Sequence, residues 1–546
     1  MAFNRVLVLG VFGGMLGKCA RRICQRGLLA VAMSLLLFGC QTVNHSVPRR
    51  TSYGLEALEN TRFGQIYAGA QQRNPGRSGF RLLEYGPEAL MARAAIVEGA
   101  QRTLDIQYYI YDPGKIGQFL TQRILAAADR GVRVRLLLDD NNQGDDRPLI
   151  VLASHPNIEV RVFNPFKYRG QWMKIPQYLW DLNRVNRRMH NKVLIADNLL
   201  AVLGGRNIGD NYFDVSEEDN FRDYDLLMAG PLSRETSRAF DDFWNSPWAV
   251  PVEAMDSRPA APNELDNQRR DLQARVFGEP GSWERYRGLN EEYSREVIER
   301  PELLVWAGGE VVWDSPNKVG RSSPEAMRVA HRFEKEFADC RRELLVESAY
   351  FIPGPETLRQ IETLIKQGVA IKVVTSALEA TDQTLVFSAY RRYRETLLKA
   401  GVELYEYKVQ ARLAPRLKRW FAPRAAPASL HAKALVFDRQ RVWIGSFNLD
   451  PRSVWYNTEI AVVIRSSELA EQMAGHIYDD ASAERSWKVE LEPAPPGEPA
   501  SSRRGVRWLG EVDGIEVERT REPARSWWQR LRAELYALIP GVEKLL

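Results

Sequence analysis

One pattern occurs twice in this chain of 546 residues, and the two copies lie 241 residues apart. The first copy runs from Met189 to Asp197 and continues to Gly204-Gly205-Arg206-Asn207. The second runs from Leu430 to Asp438 and continues to Gly445-Ser446-Phe447-Asn448. In both copies a Lys follows the His by two residues, an Asp by seven, a Gly by fourteen and an Asn by seventeen. A repeat of this kind constrains the chain to two similar folded units.

The same order of secondary structure precedes both copies. Thr103–Ile110 predicts a β-strand, a helical pattern follows, and Val132–Asp139 predicts a second, largely apolar strand. In the second half, Leu344–Ile352, a helical pattern and Val369–Val374 repeat this order. Strand, helix and apolar strand indicate a right-handed crossover within a mainly parallel sheet. The sequence therefore predicts an α/β fold built from two tandem lobes.

The distribution of charge argues against a general nucleic-acid binder. The formal net charge is +5, and it is confined to residues 1–39, where five basic residues have no acidic partner. Without this segment the chain has 70 basic and 70 acidic residues, so it lacks the positive field of a non-specific nucleic-acid binder. The four cysteines form no disulfide framework.

The N-terminal segment has the pattern of an export signal. Basic residues precede Gly27–Gly39, an apolar run of 13 residues, which is shorter than the ~20 residues of a spanning helix and suits a signal peptide. Leu37-Phe38-Gly39-Cys40 resembles a bacterial lipobox, in which the Cys is lipidated. We therefore expect a signal peptide over 1–39 and a lipoprotein exported to the periplasmic side of the outer membrane, which Gln41 favours. An ordinary signal or an uncleaved anchor is the alternative, and the start, Met1 or Met15, stays open.

Composition divides the rest of the chain. Residues 41–80 are rich in Arg, Gln, Ser and Gly and predict a tether. Residues 81–250 and 301–490 are the predicted lobes, and 251–300 is a predicted linker with short helices. Residues 491–546 predict a Pro-rich linker and an amphipathic helix bearing Trp527 and Trp528. This helix can lie in a membrane interface or dock on the core of the protein itself.

The doubled pattern suits phosphodiester chemistry. In each copy the His and the Lys lie two residues apart in a strand, which places both side chains on one face. Two imidazoles can divide the roles of nucleophile and general acid, and two ammonium groups can neutralise the oxygens of a phosphodiester. The two Asn side chains follow small residues at tight turns, from which their amides can approach the same oxygens. No metal or cofactor is required. The candidate residues are His190, Lys192, Asn207, His431, Lys433 and Asn448.

The doubled pattern resembles that of the phospholipase D superfamily, whose two-lobed organisation residues from about 80 to 490 follow. Asp139-Asp140, Asp223-Tyr224-Asp225, Asp314-Ser315-Pro316 and Asn457-Thr458-Glu459 are similar to motifs of the C-type bacterial cardiolipin synthases. The resemblance implies two tandem α/β sandwich lobes that share one active site at a pseudo-twofold interface. It also implies covalent catalysis through a phosphohistidine, in which one His attacks phosphorus and the other transfers protons.

The resemblance assigns roles to individual residues. It implies that His190 is the nucleophile and His431 the acid and base, although the near symmetry leaves this order open. Glu459 and Asp225 are expected to orient the rings, with Asp223 as a rival to Asp225. The carboxylates of the two copies, Asp197 and Asp438, are expected to stabilise the local strand and turn.

Aromatic and basic residues precede each copy, in Phe166–Arg188 and in Arg412–Arg424. They suit a membrane surface, single-stranded nucleic acid or a plain solvated loop. Together with the lipobox they favour lipid, so we expect phospholipid substrates, a membrane surface and no nucleic acid. The leading hypothesis is a phosphatidyltransferase that makes cardiolipin from phosphatidylglycerol and a second phospholipid. Alternatives are a hydrolase releasing phosphatidic acid, a nuclease or phosphodiesterase, and an inactive lipid-binding lipoprotein; acceptor, leaflet and oligomeric state stay open.

Overall fold

The computed structural model describes residues 42–56, 59–141, 144–169, 177, 180–320, 323–411, 427–493 and 505–539. The predicted signal peptide with Cys40, the stretch Arg412–Arg424 and nearly all of the Pro-rich linker lie outside these ranges. So do Trp172, Lys174 and Tyr178 of the first aromatic stretch. Within the described ranges, no helix is both long enough and apolar enough to cross a membrane.

The first lobe is built on a mixed sheet. Its parallel core is β2-β3-β4, and the other strands pair antiparallel on both sides, in the spatial order β9-β4-β3-β2-β5-β6-β8-β1. The strands are β1 (Ser78–Leu83), β2 (Thr103–Tyr108), β3 (Arg133–Asp139), β4 (Ile158–Phe163), β5 (Lys192–Ala196), β6 (Leu200–Gly204), β7 (Asn220–Arg222), β8 (Asp225–Ala229) and β9 (Ala249–Pro251). β7 belongs to a separate small sheet of three strands.

The second lobe repeats this arrangement strand for strand, in the spatial order β19-β13-β12-β11-β16-β17-β18-β10. β1 pairs antiparallel with β10, so the two sheets join edge to edge. The internal duplication is therefore confirmed. The strands are β10 (Val305–Trp313), β11 (Glu343–Ser348), β12 (Ala370–Ser376), β13 (Glu403–Tyr407), β14 (Gln410–Ala411), β15 (Pro427–Leu430), β16 (Lys433–Phe437), β17 (Arg441–Gly445), β18 (Ile460–Arg465), β19 (Ser486–Leu491), β20 (Val506–Val512) and β21 (Ile515–Arg519).

Helices cover the sheets. The crossover helix of each lobe ends where the sequence predicted, at Gly131 (φ 93°) and Gly368 (φ 88°), since glycine adopts positive φ without strain. The helices are α1 (Arg62–Arg73), α2 (Gly86–Gly99), α3 (Lys115–Asp129), α4 (Arg147–Ala153), α5 (Leu182–Val185), α6 (Pro231–Trp244), α7 (Glu264–Phe277), α8 (Ser282–Tyr293), α9 (Arg328–Ala338), α10 (Gly354–Lys366), α11 (Thr384–Tyr390), α12 (Arg394–Ala400), α13 (Pro451–Trp455), α14 (Ser467–Asp480) and α15 (Trp527–Ala537).

One hydrophobic cluster contains residues of both lobes. Leu137 and Val193 from the first lobe lie in it with Leu345, Ala434 and Ile444 from the second. Each lobe also has its own cluster on its outer face. A shared apolar core of this kind fixes the two lobes relative to each other, which a site built between them requires.

Two predicted connections are folded parts of the protein, so the interpretation of 41–80 as a tether is wrong. In that segment α1 buries Phe63, Tyr67 and Ala70 against the first lobe, because these side chains recur at helical spacing. The predicted linker 251–300 contains α7 and α8, whose Phe277 and Tyr286 pack on Phe119 of α3 at ring distances of 6.4 and 5.1 Å. It forms an outer layer of the first lobe.

The C-terminal segment adds structure that the sequence analysis missed. β20 pairs with β19 and forms a hairpin with β21 through Asp513-Gly514, both at positive φ. An Asp-Gly pair is a strong signal for such a turn. The helix α15 then docks on α11, where the Ser388 hydroxyl donates to the carbonyl oxygen of buried Ala533, and buried Gln529 donates to the carbonyl oxygen of Leu378. Trp527 and Trp528 remain 60% and 59% exposed. The docking alternative is thus confirmed for one face of the helix only.

Candidate active site

Each motif is held in place by the backbone of the other lobe. The amide of His190 donates to the carbonyl oxygen of Thr458 at 2.9 Å, and the amide of His431 donates to that of Arg222 at 2.7 Å. In the second case the contact extends into the small sheet, where β15 pairs parallel with β7. Both histidines therefore lie at the junction of the lobes, as the predicted shared site requires.

A carboxylate from the second lobe orients the His190 ring. Nδ1 of His190 lies 2.9 and 3.1 Å from the two oxygens of Glu459 and 3.1 Å from the carbonyl oxygen of Ser446. These acceptors place the hydrogen on Nδ1, which leaves the Nε2 lone pair available as a nucleophile. Burial lowers the pKa of His190, and the charges of Lys192 and Lys433 lower it further. Burial raises the pKa of Glu459 to about 7.

A carboxylate from the first lobe orients the His431 ring, and it is Asp223. Its oxygen lies 2.6 Å from Nδ1 of His431. Burial opposes ionisation of Asp223, but the His431 ring and Lys433 outweigh it and lower the pKa of Asp223. Burial and Lys433 lower the pKa of His431, whereas Asp223 acts in the opposite sense.

The expectation that Asp225 orients a histidine ring is wrong. Its carboxylate lies 3.0 Å from the guanidinium of Arg93 and 3.2 Å from that of Arg206, and all three side chains are buried. A buried arginine needs a counter-charge. Asp225 supplies it in the interior of the first lobe.

The two carboxylates that orient the histidine rings differ in length, since Asp223 is shorter than Glu459. The residue next to each carboxylate differs accordingly. A Cβ atom on Gly205 would lie 2.2 Å from a carboxylate oxygen of Asp223, so this position has room only for glycine. At the equivalent place in the second lobe, the hydroxyl of Ser446 donates to the longer Glu459. The two halves of the site therefore have the same arrangement, but they differ in the length of the carboxylate and in the residue beside it.

Both motif lysines are buried beside their histidines. Lys192 donates to the carbonyl oxygen of His190, and Nζ of Lys433 lies 3.2 Å from Nδ1 of His431. Burial lowers the pKa of Lys192 to about 7 and also lowers the pKa of Lys433. A bound phosphate would restore the charged form of both, because an adjacent anion favours the ammonium.

The two asparagines have different surroundings. The Asn207 side chain accepts from the amide of Ile110 at 3.2 Å and donates to the Tyr212 hydroxyl at 2.8 Å. Since the Tyr212 ring packs edge-on against His431 at 5.2 Å, Asn207 supports that ring instead of reaching toward a phosphate as expected. By contrast, Oδ1 of Asn448 is buried and has no hydrogen-bond partner in the part of the chain that the structure describes.

Asp197 and Asp438 have the expected structural role. Asp197 accepts hydrogen bonds from the amides at the start of β2, with 2.7 Å to Arg102. Asp438 does the same at the start of β11, with 2.6 Å to Arg342. In both lobes the donors are backbone amides at the start of the neighbouring strand, so each carboxylate ties its motif hairpin to that strand.

The sequence analysis missed a pair of tyrosines at the site. The Tyr109 ring lies 5.0 Å from the His190 ring and 5.5 Å from Nζ of Lys192, and the Tyr350 ring lies 6.0 Å from Nζ of Lys433. Tyr109 and Tyr350 are 241 residues apart, as are the two histidines. Applying that offset to every residue near the motifs would have found them.

A buried ion pair supports Glu459 from behind. Asp314 lies 2.7 Å from Nζ of Lys318 and accepts from the Glu459 amide at 3.1 Å. Burial raises the pKa of Asp314 to about 6. Among the described residues, no group of three or more His, Cys, Asp or Glu side chains is arranged to bind a metal ion.

The chain is similar to known proteins over most of its length. The family model described as "Cardiolipin synthase, PLD-like domain" matches residues 94–244 and 333–480. Cardiolipin synthase C of Escherichia coli K12 is 35% identical over 486 residues, 87% of this chain and 97% of that protein. Cardiolipin synthase B of the same strain is 23% identical over 456 residues, covering 83% and 86%. The phosphatidylserine synthase structure of Haemophilus influenzae Rd KW20 has a similar fold, with a TM-score of 0.50 and 12% identity over 77% of this chain and 91% of that one.

Proposed function

Since this chain belongs to the cardiolipin synthase family of phospholipase D-like proteins, we propose that it transfers a phosphatidyl group to the hydroxyl of a second phospholipid and so makes cardiolipin. At the level of the family it is a phospholipid-modifying enzyme. Phosphatidylglycerol is the proposed donor. The observation that carries the proposal is the reciprocal pairing of each His with a carboxylate of the opposite lobe.

In the first step Nε2 of His190 attacks the phosphorus of phosphatidylglycerol. The bond from phosphorus to the glycerol oxygen breaks, and His431 gives its proton to that oxygen, so that glycerol leaves and a phosphohistidine forms. Lys192 and Lys433 neutralise the non-bridging oxygens where charge develops. The Glu459 carboxylate stabilises the ring of His190 as it becomes positively charged.

In the second step His431, now neutral, takes the proton from a hydroxyl of the second phospholipid. The hydroxyl oxygen attacks phosphorus, the phosphorus–nitrogen bond breaks, and His190 is released. Asp223 holds His431 in one orientation through both steps, which proton transfer in opposite directions requires.

Attachment to a membrane is part of the proposal. The exposed Trp527 and Trp528 stack on each other at 3.9 Å, on the face of α15 that points away from the protein. Tryptophans in this position suit the interface of a bilayer. We place the protein at the periplasmic side of the outer membrane, anchored through Cys40. If Cys40→Ala leaves both the mass and the membrane fractionation of the protein unchanged, the anchor is refuted.

The test is to incubate the purified protein with labelled phosphatidylglycerol, with and without phosphatidylethanolamine, and to separate the products. Cardiolipin is the expected product. Phosphatidic acid alone would make the protein a hydrolase, and hydrolysis of single-stranded DNA without lipid turnover would make it a nuclease. Turnover that persists in His190→Ala would refute the covalent mechanism, and binding of lipid without any turnover would leave only a lipid-binding protein.

A further inference from the structure

The second lobe contains a groove that is separate from the histidines and lysines of the proposed transfer reaction. α9, the first turn of α10 and α13 enclose it, and its volume of about 670 Å³ lies within the ~300–1,000 Å³ of small-molecule sites. Its lining is mainly apolar. The principal apolar lining residues are Phe333, Ile352, Phe447, Leu449 and Val454.

The floor of the groove is rigid. The rings of Phe333 and Phe447 pack at 5.5 Å, and the amide of Ile352 donates to the carbonyl oxygen of Leu449 at 2.6 Å. All four residues are buried. A ligand would therefore enter a preformed cavity and would not have to open the core.

The groove adjoins the catalytic wall. Phe447 and Leu449 flank Asn448, the motif residue whose buried Oδ1 is unpaired among the described residues. Asp450 lines the groove, and it interacts electrostatically with both Lys433 and Glu459. The apolar floor thus begins directly beside Asn448, whose amide the sequence analysis expects to approach the phosphoryl oxygens.

The rim combines aromatic and charged side chains. Trp455 is 52% exposed there, and the guanidinium of Arg187 lies 5.4 Å from the Tyr456 ring. Aromatic rings with an adjacent arginine are typical of residues at the headgroup level of a membrane. Glu334 and Glu356 also line the groove, so a free fatty acid, whose carboxylate they repel, suits it less than an uncharged ester.

We propose that this groove binds an acyl chain of the phosphatidyl donor. The inference rests on the proposed function. In that reaction the diacylglycerol part of the donor stays bonded to phosphorus through both steps, while glycerol leaves and the second lipid arrives. A groove beside the phosphoryl site therefore keeps hold of the one part of the substrate that is present throughout.

Chain-length dependence tests the groove. Soluble phosphatidylglycerols with four- and six-carbon chains are compared below their micelle-forming concentrations, with glycerol release as the readout. In the wild type, kcat/KM rises roughly fourfold for each methylene group buried. Val454→Trp, which fills the groove, abolishes this rise, so that the four- and six-carbon substrates have similar kcat/KM. Lys335→Trp places the same side chain on the solvent side of α9 and keeps the rise.

A second readout does not depend on turnover. His190→Ala is photolabelled with a phosphatidylglycerol that carries a diazirine at the end of one acyl chain, and the labelled peptides are identified. Label in residues 352–357 and 447–456 supports the groove. Label confined to α15 or to the first lobe, or an unchanged chain-length rise in Val454→Trp, overturns it. If the wild type releases no glycerol but the groove peptides are labelled, the transferase proposal fails and the acyl site stands.

Discussion

Replacement of Glu459 by Gln tests the ring-orienting role of this carboxylate directly. Glu459 has no exposed surface, and it contacts Nδ1 of His190, the Ser446 hydroxyl and, through its own amide, Asp314. Glutamine has the same shape but no charge. The substitution therefore removes the negative charge opposite the His190 ring while leaving the packing in place.

Activity is expected to fall steeply. An amide in place of the carboxylate of a histidine–carboxylate pair no longer selects the tautomer with hydrogen on Nδ1, and in serine proteases this change lowers kcat about 10⁴-fold. The same mechanism predicts a loss of about 10³- to 10⁴-fold in Glu459→Gln, in kcat more than in KM.

The pH dependence of the free energy of unfolding is also expected to change. Burial raises the pKa of Glu459 from 4.5 to about 7 in the folded protein. Between these pH values the folded chain holds a proton that the unfolded chain releases, so the free energy of unfolding falls as the pH rises. The fall amounts to roughly 2–3 kcal/mol between pH 5 and pH 8. Glutamine does not titrate, so the variant lacks this contribution.

The assay compares urea unfolding of wild type and Glu459→Gln at pH 5 and pH 8, together with phosphatidyl transfer at pH 7. We expect the variant to lose activity. We also expect its free energy of unfolding to fall less between pH 5 and pH 8 than that of the wild type. Full activity in the variant would refute the role of Glu459 in orienting His190. An unchanged pH dependence of unfolding would refute the buried, proton-holding carboxylate.

Three further changes have outcomes that follow from the site. Gly205→Ala places a methyl group 2.2 Å from Asp223, so we expect at least a hundredfold loss of kcat with the fold retained by circular dichroism; near-normal turnover would contradict the tight packing. Because the pKa of Lys192 is about 7, KM for phosphatidylglycerol is expected to rise up to tenfold per pH unit above 7. Lys192→Arg, which stays charged, removes that rise in a pH profile of initial rates. Trp527→Ala combined with Trp528→Ala is expected to weaken binding to phosphatidylglycerol vesicles about tenfold or more in co-sedimentation, whereas equal binding would rule out α15 as a membrane contact.

The offset of 241 residues made much of the fold and site predictable. It identified the two lobes and the two histidines at their junction, and the strands of each crossover recur at nearly the same spacing, 237 to 241 residues. It also relates Tyr109 to Tyr350, although the sequence analysis did not apply it there. A duplication carries this information because equivalent positions in two copies of one fold have equivalent surroundings.

The choice between Asp223 and Asp225 could not be predicted from local sequence. Residues two apart in an extended chain share a face, so periodicity does not separate them. Arg93 and Arg206 engage Asp225 in the interior of the first lobe, and His431 comes from more than 200 residues away to meet Asp223. The tether was misjudged for a related reason. The polar composition of this segment was given more weight than the helical spacing of Phe63 and Tyr67. That spacing produces a packed helix only where another surface of the protein covers these side chains.

The joint between β1 and β10 has a consequence for synthesis of the chain. β1 pairs with β8 on one side, and residues 305–307 of β10 cover its other side. Until the ribosome has made that strand, the first lobe presents an open strand edge and half of a shared apolar core to the cytoplasm. Such an edge is a template for aggregation. The first lobe therefore depends on the second for its solubility during translation, and a chain released before residue 305 would need a chaperone to remain in solution.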